Sequence, residues 1–344
     1  MVQYLVSYKN QLTKIIINIF NQNQSLSDDW FLLDIFNLSL KGRDLMEKKI
    51  MLTNSELINH MESKNITFDK MSKLDALHLL NTKNYYFKVA SYRVNFSKDG
   101  NGKYNNLDFA YLSDLAVIDM HLRNYLLSLC LDIEHGIKLR LINYISNDID
   151  EDGYSIVNDF KERYPSQFNQ TLLYLKKNKY LNDMYEKYKE NTPIWVFLET
   201  TTFGNLSMFV EFYNKRKKIK SINQISHHLK YCKNIRNACA HNTPLLVNLF
   251  SDKEFLSRPS AAVMSIAATM NIPNNQVHDL KINDLISTFY LHKKIQSKKM
   301  GEHKFEEGNA LINRFNLNSE WYSDNPKLTT FLSILQKLVD YLND

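Results

Sequence analysis

The sequence predicts an all-α protein, and three observations carry that prediction. Helix breakers are scarce: 344 residues hold 8 glycines and 6 prolines, too few for the many turns of a sandwich or barrel. Apolar residues recur at three- and four-residue steps in segment after segment. Residues that cap or open helices stand ahead of several of these segments, among them Ser27 and the pair Thr192-Pro193. No large sheet is expected.

Composition narrows the class further. Apolar residues make up 44% and charged residues 23%, an ordinary water-soluble mixture. The net charge of +6 is compatible with nucleic acid without demanding it. Cys130, Cys232 and Cys239 show no C-x-x-C spacing, so neither a zinc site nor a disulfide framework is expected. No apolar run reaches the roughly 18 residues a membrane helix needs. The first residues lack the pattern of a secretory leader. A soluble cytoplasmic protein is the expectation.

The elements follow in order. Residues 1–25 carry Tyr4, Leu5, Tyr8, Leu12, Ile15, Ile16 and Ile19, the stripe of an amphipathic helix. A second helix is expected after Ser27, through Trp30, Phe31, Leu33, Ile35 and Phe36. Residues 1–47 read as an N-terminal extension. Ser55 to Met61 reads as a capped helix, and Leu74, Leu77, Leu79 and Leu80 mark another. Asp99-Gly100-Asn101-Gly102 favours positive φ and reads as a loop rather than a hairpin tip, since its flanks alternate weakly. A long helix starts near Leu107 and passes through Asp119, Arg123, Glu134, Lys138 and Arg140. Its Asp119/Arg123 and Glu134/Lys138 pairs stand four apart and suit surface ion pairs. Arg123 and Arg140 are the alternative, a basic lining for RNA. Residues 146–170 open as an acidic solvated loop, and residues 170–190 read as a basic helix pair. Lys215, Arg216, Lys217 and Lys218 form a basic run that suits either solvent or an RNA backbone. His227 and His228 are adjacent, so they project in different directions and make a poor metal pair. Residues 251–344 read as a third, helical region.

The most informative stretch runs from Ile235 to Asn242. On a helix, Ile235, Ala238 and Cys239 fall on one core-facing stripe, which Cys232 and Tyr231 extend one turn back. Asn237 and His241 stand four apart on another face, with Arg236 on the flank. Thr243-Pro244 disfavours helix, which should end near Asn242. The group offers a fixed planar cation, an amide and a proton carrier. Cleavage of a phosphodiester by its own 2′-hydroxyl asks for these services, and it needs no metal or cofactor. A plain solvated face fits the same spacing.

Arg236-Asn237-x3-His241 in an all-helical chain resembles the Arg-polar-x(3–5)-His signature of HEPN-superfamily ribonucleases. The surrounding segments resemble the Abi family, abortive-infection phage-defence proteins of the AbiD/AbiF kind. They are the helix after Thr53, the aromatic run Tyr85-Tyr86-Phe87-Lys88 with Tyr92-Arg93, the long helix through Glu134 and Arg140, and Thr192-Pro193-Ile194-Trp195 with Glu199 and Phe203-Gly204-Asn205-Leu206-Ser207. The resemblance covers residues 48–250 and implies a HEPN core at about 105–250. It further implies metal-independent RNA cleavage at Arg236, Asn237 and His241, through a 2′,3′-cyclic phosphate. The site would be shared by a homodimer, with Glu199, Glu134 and Asn242 as possible supporting residues. It also implies a toxin-like effector restrained by a partner, such as a structured noncoding RNA. The alternative is a non-catalytic HEPN-type module that binds such an RNA or dimerises. No membrane partner is expected.

Overall fold

The centre of the fold is one long helix whose polar residues are as informative as its apolar ones. The computed structural model describes residues 50–343, so both helices expected within residues 1–36 and the extension 1–47 lie outside the described residues. Fourteen α-helices account for most of the described chain, with one two-residue parallel strand pair, so the all-α expectation is met. No helix among the described residues is long and apolar enough to cross a membrane.

The chain begins with α1 (Asn54–Ser63), which Thr53 and Glu56 close with a reciprocal capping box. Strand β1 (Ile66–Thr67) follows, then α2 (Lys73–Thr82), capped by Ser72. Next come α3 (Tyr86–Ser91) and a 3₁₀ turn (Tyr92–Asn95). The Asp99–Gly102 turn departs from the loop expectation. It folds the chain back so that Lys98 and Tyr104 pair antiparallel, with Gly102 at φ 75°. Strand β2 (Leu107–Asp108) pairs with β1, and buried Asp108 caps α4 (Phe109–Ser146) by accepting from the Ala110 amide.

Helix α4 is 38 residues long and buried over most of its circumference. The acidic loop after it is shorter than expected, because α5 (Ser155–Arg163) begins at once and α6 (Pro165–Lys177) follows. Then come α7 (Asn182–Tyr188), α8 (Ile194–Thr200), α9 (Phe203–Lys217) and α10 (Lys220–Ala240). Thr192 does not cap α8. Its hydroxyl donates to the Tyr188 carbonyl, and Pro193 takes the cap position. The remaining helices are α11 (Ala261–Thr269), α12 (Leu280–Ile295), α13 (Lys298–Asn316) and α14 (Pro326–Asp340).

Residues 251–344 do not stand apart from the rest. Helix α12 packs against both α4 and α10, and Ile286, Phe289 and Leu291 are fully buried in the shared core. Thr53–Asp344 is accordingly one compact unit. Gly136 permits the close crossing of α4 and α12, since a Cβ there would lie 2.3 Å from Ile295 Cγ2. Where they cross, Arg140 donates to the Lys294 and Ile295 carbonyls at 2.6 and 3.1 Å and closes the C-terminus of α12.

Three aspartates on α4 tie it to other segments of the chain. Asp114 takes Arg314 of α13 at 2.5 Å and the Tyr322 hydroxyl at 2.7 Å. Asp132 meets His292 of α12 at 3.2 Å and Lys304 of α13 at 3.7 Å. Asp119 is fully buried and has most partners. It pairs with Arg123, accepts the Tyr92 hydroxyl at 2.8 Å, and accepts the Leu245 and Leu246 amides at 2.8 and 2.9 Å. The Asp119–Arg123 pair therefore forms at the predicted spacing, but inside the protein and not on its surface. Asn95 donates to the Leu246 carbonyl at 2.7 Å, and Asn325, the cap of α14, donates to Asn95.

Asp119→Asn should destabilise the protein by about 3–5 kcal/mol, because it leaves the buried Arg123 guanidinium without a counter-charge. Urea unfolding of the single variant and of the double variant with Arg123→Leu tests this. The double variant should recover a large part of the loss, and equal stability of wild type and Asp119→Asn would refute the argument.

Candidate functional site

Helix α10 delivers the polar group as the sequence pattern requires. Cys232, Ile235 and Cys239 are buried against the core. Cys232 Sγ lies 3.8 Å from Cys130 Sγ on α4, and all three cysteines are free thiols. The contact between the two sulfurs and their burial push the Cys130 thiol well above its ordinary pKa, against the pull of the nearby Arg236 charge. The Cys130 thiol is therefore an inert core group.

The end of α10 is set by its last residues. His241 is the C-cap, and Asn242 adopts a left-handed conformation at φ 56°. The Asn242 amide donates to the Cys239 carbonyl at 3.1 Å, and the Thr243 amide donates to the Ala238 carbonyl at 2.8 Å. These are the two bonds of a Schellman stop, and asparagine is the residue after glycine that tolerates this conformation best. The helix thus ends where Thr243-Pro244 predicted, and Asn242 acts through its backbone. Three and four residues after Asn242, Asp119 holds the Leu245 and Leu246 amides and Asn95 the Leu246 carbonyl, so the helix end is fixed on both sides.

Arg236, Asn237 and His241 are graded in exposure. Arg236 and Asn237 are half-buried and His241 is exposed. Arg236 Nη1 reaches the Asn237 amide oxygen at 3.4 Å, and buried Arg236 Nε has no hydrogen-bond partner. The His241 ring makes no hydrogen bond or ion pair among the described residues. Five residues along a helix are about 140° round its axis, whereas Asn237 and His241 differ by about 40°. Asn237 and His241 therefore share a face, and Arg236 points from the neighbouring one. The arrangement can steady an anion and move a proton, with an amide between the two functions.

The other predicted site residues are placed elsewhere. Glu199 is exposed on α8 and bonds neither Arg236 nor His241. Glu134 forms its predicted ion pair with Lys138 at 3.0 Å and is not turned to Arg236. Arg123 is buried on Asp119 and Arg140 caps α12, so neither lines an open RNA surface. In the basic run, Lys215 pairs with Glu211, Arg216 with Glu151 and Asp159, and Lys217 with Asp148 and Glu151. Lys218 provides the left-handed end of α9. The acidic loop after α4 thus neutralises a run that looks open in sequence. Sequence reasoning also missed the Asp119 clamp on Leu245 and Leu246, whose backbone partners leave no side-chain signal.

The fold and the site together define an all-helical protein that presents an arginine, an amide and a histidine from the C-terminus of one clamped helix. Residues 78–246 match the model of the family described as Abi-like protein, and over this span the chain is an Abi-family protein. The matched span runs from within α2 to the two residues that Asp119 holds. No curated protein and no solved structure matches the chain.

Asn242→Gly should leave stability unchanged or slightly raised, whereas Asn242→Ala should cost about 1 kcal/mol, because only the alanine is strained at positive φ. Thermal unfolding compares the two. An alanine variant as stable as the glycine variant would remove the backbone role assigned to Asn242.

Proposed function

We propose that this protein is a metal-independent endoribonuclease of HEPN type, acting as an abortive-infection effector against phage. The observation that carries the reading is the free His241 ring, set one helical turn from Asn237 beside the half-buried Arg236. Membership of the Abi-like family supports the defence role. In the reaction, His241 removes the proton from a 2′-hydroxyl or delivers one to the leaving 5′-oxygen. Arg236 stabilises the charge that gathers on the phosphorane, and Asn237 orients the phosphate. The bond to the 5′-oxygen breaks as the bond from the 2′-oxygen forms, which yields a 2′,3′-cyclic phosphate and a 5′-hydroxyl. A partner, such as a structured noncoding RNA, restrains the activity in the host.

The site is shared between two copies of the chain. Arg236 and His241 point about 140° apart on one helix, so a phosphate gripped by both is served more directly by two helices than by one. A surface for the second copy is on hand. Val117, Met120, Asn124, Leu127 and Leu131 follow one another on α4 at steps of 3, 4, 3 and 4, the spacing of a helix–helix seam. Val117, Met120 and Leu131 are 37, 42 and 51% exposed, unusual for apolar residues on a central helix.

Purified protein incubated with labelled RNA in EDTA should release cyclic-phosphate ends. His241→Ala should lower the rate about 10²–10⁴-fold and Arg236→Ala about 10²–10³-fold. A 2′-O-methyl substrate should be inert. Binding that survives in all variants, with no cleavage by wild type, would instead favour a non-catalytic RNA-binding module.

Complementation tests the shared site. Arg236→Ala and His241→Ala proteins, inactive alone, should regain about a quarter of wild-type activity when mixed, since half the dimers would hold one intact site of two. Leu131→Glu should yield a monomer by sedimentation and lose cleavage. Mixed variants that stay inactive although they exchange subunits would place Arg236 and His241 of one chain in the same site.

A further inference from the structure

A second basic site lies in the N-terminal part of the same unit, away from the Arg236 group. A cavity of about 120 Å³ is lined by His60, Lys64, Arg93, Lys98 and Tyr104. Its walls come from three places in the sequence and are tied together by the backbone. Lys64 caps α1, and its carbonyl accepts the Tyr104 amide at 2.9 Å. Asn65, left-handed at φ 62°, donates from its side chain to the Tyr104 carbonyl at 2.9 Å. Lys98 pairs with Tyr104 across the short turn, and its Nζ sits 4.7 Å from the centre of the Tyr104 ring. Arg93 comes from the 3₁₀ turn and is held by the Tyr86 hydroxyl at 2.9 Å. Tyr104 is buried and forms the floor.

The cavity differs from the Lys215–Lys217 run in its lack of counter-charge. The Lys215–Lys217 run is neutralised by carboxylates, and the Arg140 guanidinium is engaged by two backbone carbonyls. Lys64, Arg93 and Lys98 form no ion pair among the described residues. Three cationic side chains around one concave opening repel each other, and an anion entering it relieves that repulsion. The cavity is smaller than the roughly 300 Å³ at which ordinary small-molecule pockets begin, so it has room for a phosphate group and not for a whole nucleotide. A guanidinium beside two ammonium groups suits such an oxyanion.

We propose that this pocket holds one backbone phosphate of an RNA strand and so serves as an anchoring subsite apart from the cleavage site. The choice of RNA as the source rests on the proposed function; the affinity for phosphate does not. The support of the pocket is shared with the Arg236 group. Arg93 lies between Tyr92, which bonds Asp119, and Asn95, which bonds the Leu246 carbonyl five residues past His241. A strand anchored at Arg93 is therefore held against the same clamp that fixes the end of α10.

The test uses full-length wild type, Lys64→Gln/Lys98→Gln and a control Lys176→Gln/Lys177→Gln. Each is titrated with a fluorescent 2′-O-methyl oligoribonucleotide, which cannot be cleaved, over a range of salt concentrations. The pocket variant should bind about tenfold more weakly, and the slope of log affinity against log salt should be shallower by about 1. The control variant should match wild type in slope. Circular dichroism and thermal unfolding confirm that the exposed lysine changes leave the fold intact. Arg93→Lys, which keeps the charge, should retain most of the binding. Equal affinity and slope in the pocket variant and wild type would overturn the proposal. Thermal shift with inorganic phosphate separates the two sources. If phosphate stabilises wild type and not the pocket variant while no oligonucleotide binds, the pocket takes free phosphate and the RNA assignment is wrong. If neither ligand binds, there is no anion site.

Discussion

The buried Asp119 carboxylate is the constraint on which the rest of the structure depends. It carries one charge, four partners and no contact with water. A buried carboxylate is tolerated only when its oxygens are satisfied, and here the partners come from three separate parts of the chain. Arg123 neutralises it from within α4, Tyr92 brings in the segment before α4, and the Leu245 and Leu246 amides bring in the segment after α10. One side chain therefore sets where the chain leaves the helix that carries Arg236, Asn237 and His241. Asn95 and Asn325 extend the same network to the last helix.

This arrangement explains why a reactive group can sit at a helix end without fraying. Terminal turns lack half of their intrahelical bonds and are the least stable part of a helix. Here the Asn242 stop satisfies the last carbonyls, and the Asp119 clamp fixes the chain three residues further on. Asn237 and His241 are free to face solvent because the opposite side of α10 is anchored by Cys232, Ile235 and Cys239. The proposed chemistry uses that division, since it leaves a His241 ring nitrogen free to take up or give a proton.

Charge is sorted along similar lines. The aspartates of α4 and the acidic loop after it neutralise Arg123, Arg314, Lys217 and Arg216. The cations left without acidic partners include Lys64, Arg93 and Lys98 around one cavity. Net charge therefore says little about where an anion would bind. What matters is which cations lack a counter-charge, and that depends on which carboxylates lie close in space.

Periodicity and end signals made much of this protein legible in its sequence. Apolar spacing gave the helices, since a stripe at 3.6 residues per turn can be buried only by a helix. The core face of α10 and its end near Asn242 followed from spacing and from Thr243-Pro244, both local effects. The Abi-like character was legible too, because family motifs are also local strings. The tertiary structure decided what depends on distant partners. It turned the predicted surface pair Asp119–Arg123 into a buried clamp, and it met Arg216 and Lys217 of the basic run with carboxylates some 60 residues earlier. It merged the C-terminal region with the core through α12, and it gathered His60, Lys64, Arg93 and Lys98 into one cavity. Local sequence fixes which face of a helix is apolar; which neighbour covers that face, and which charge meets which, is settled only when the chain closes on itself.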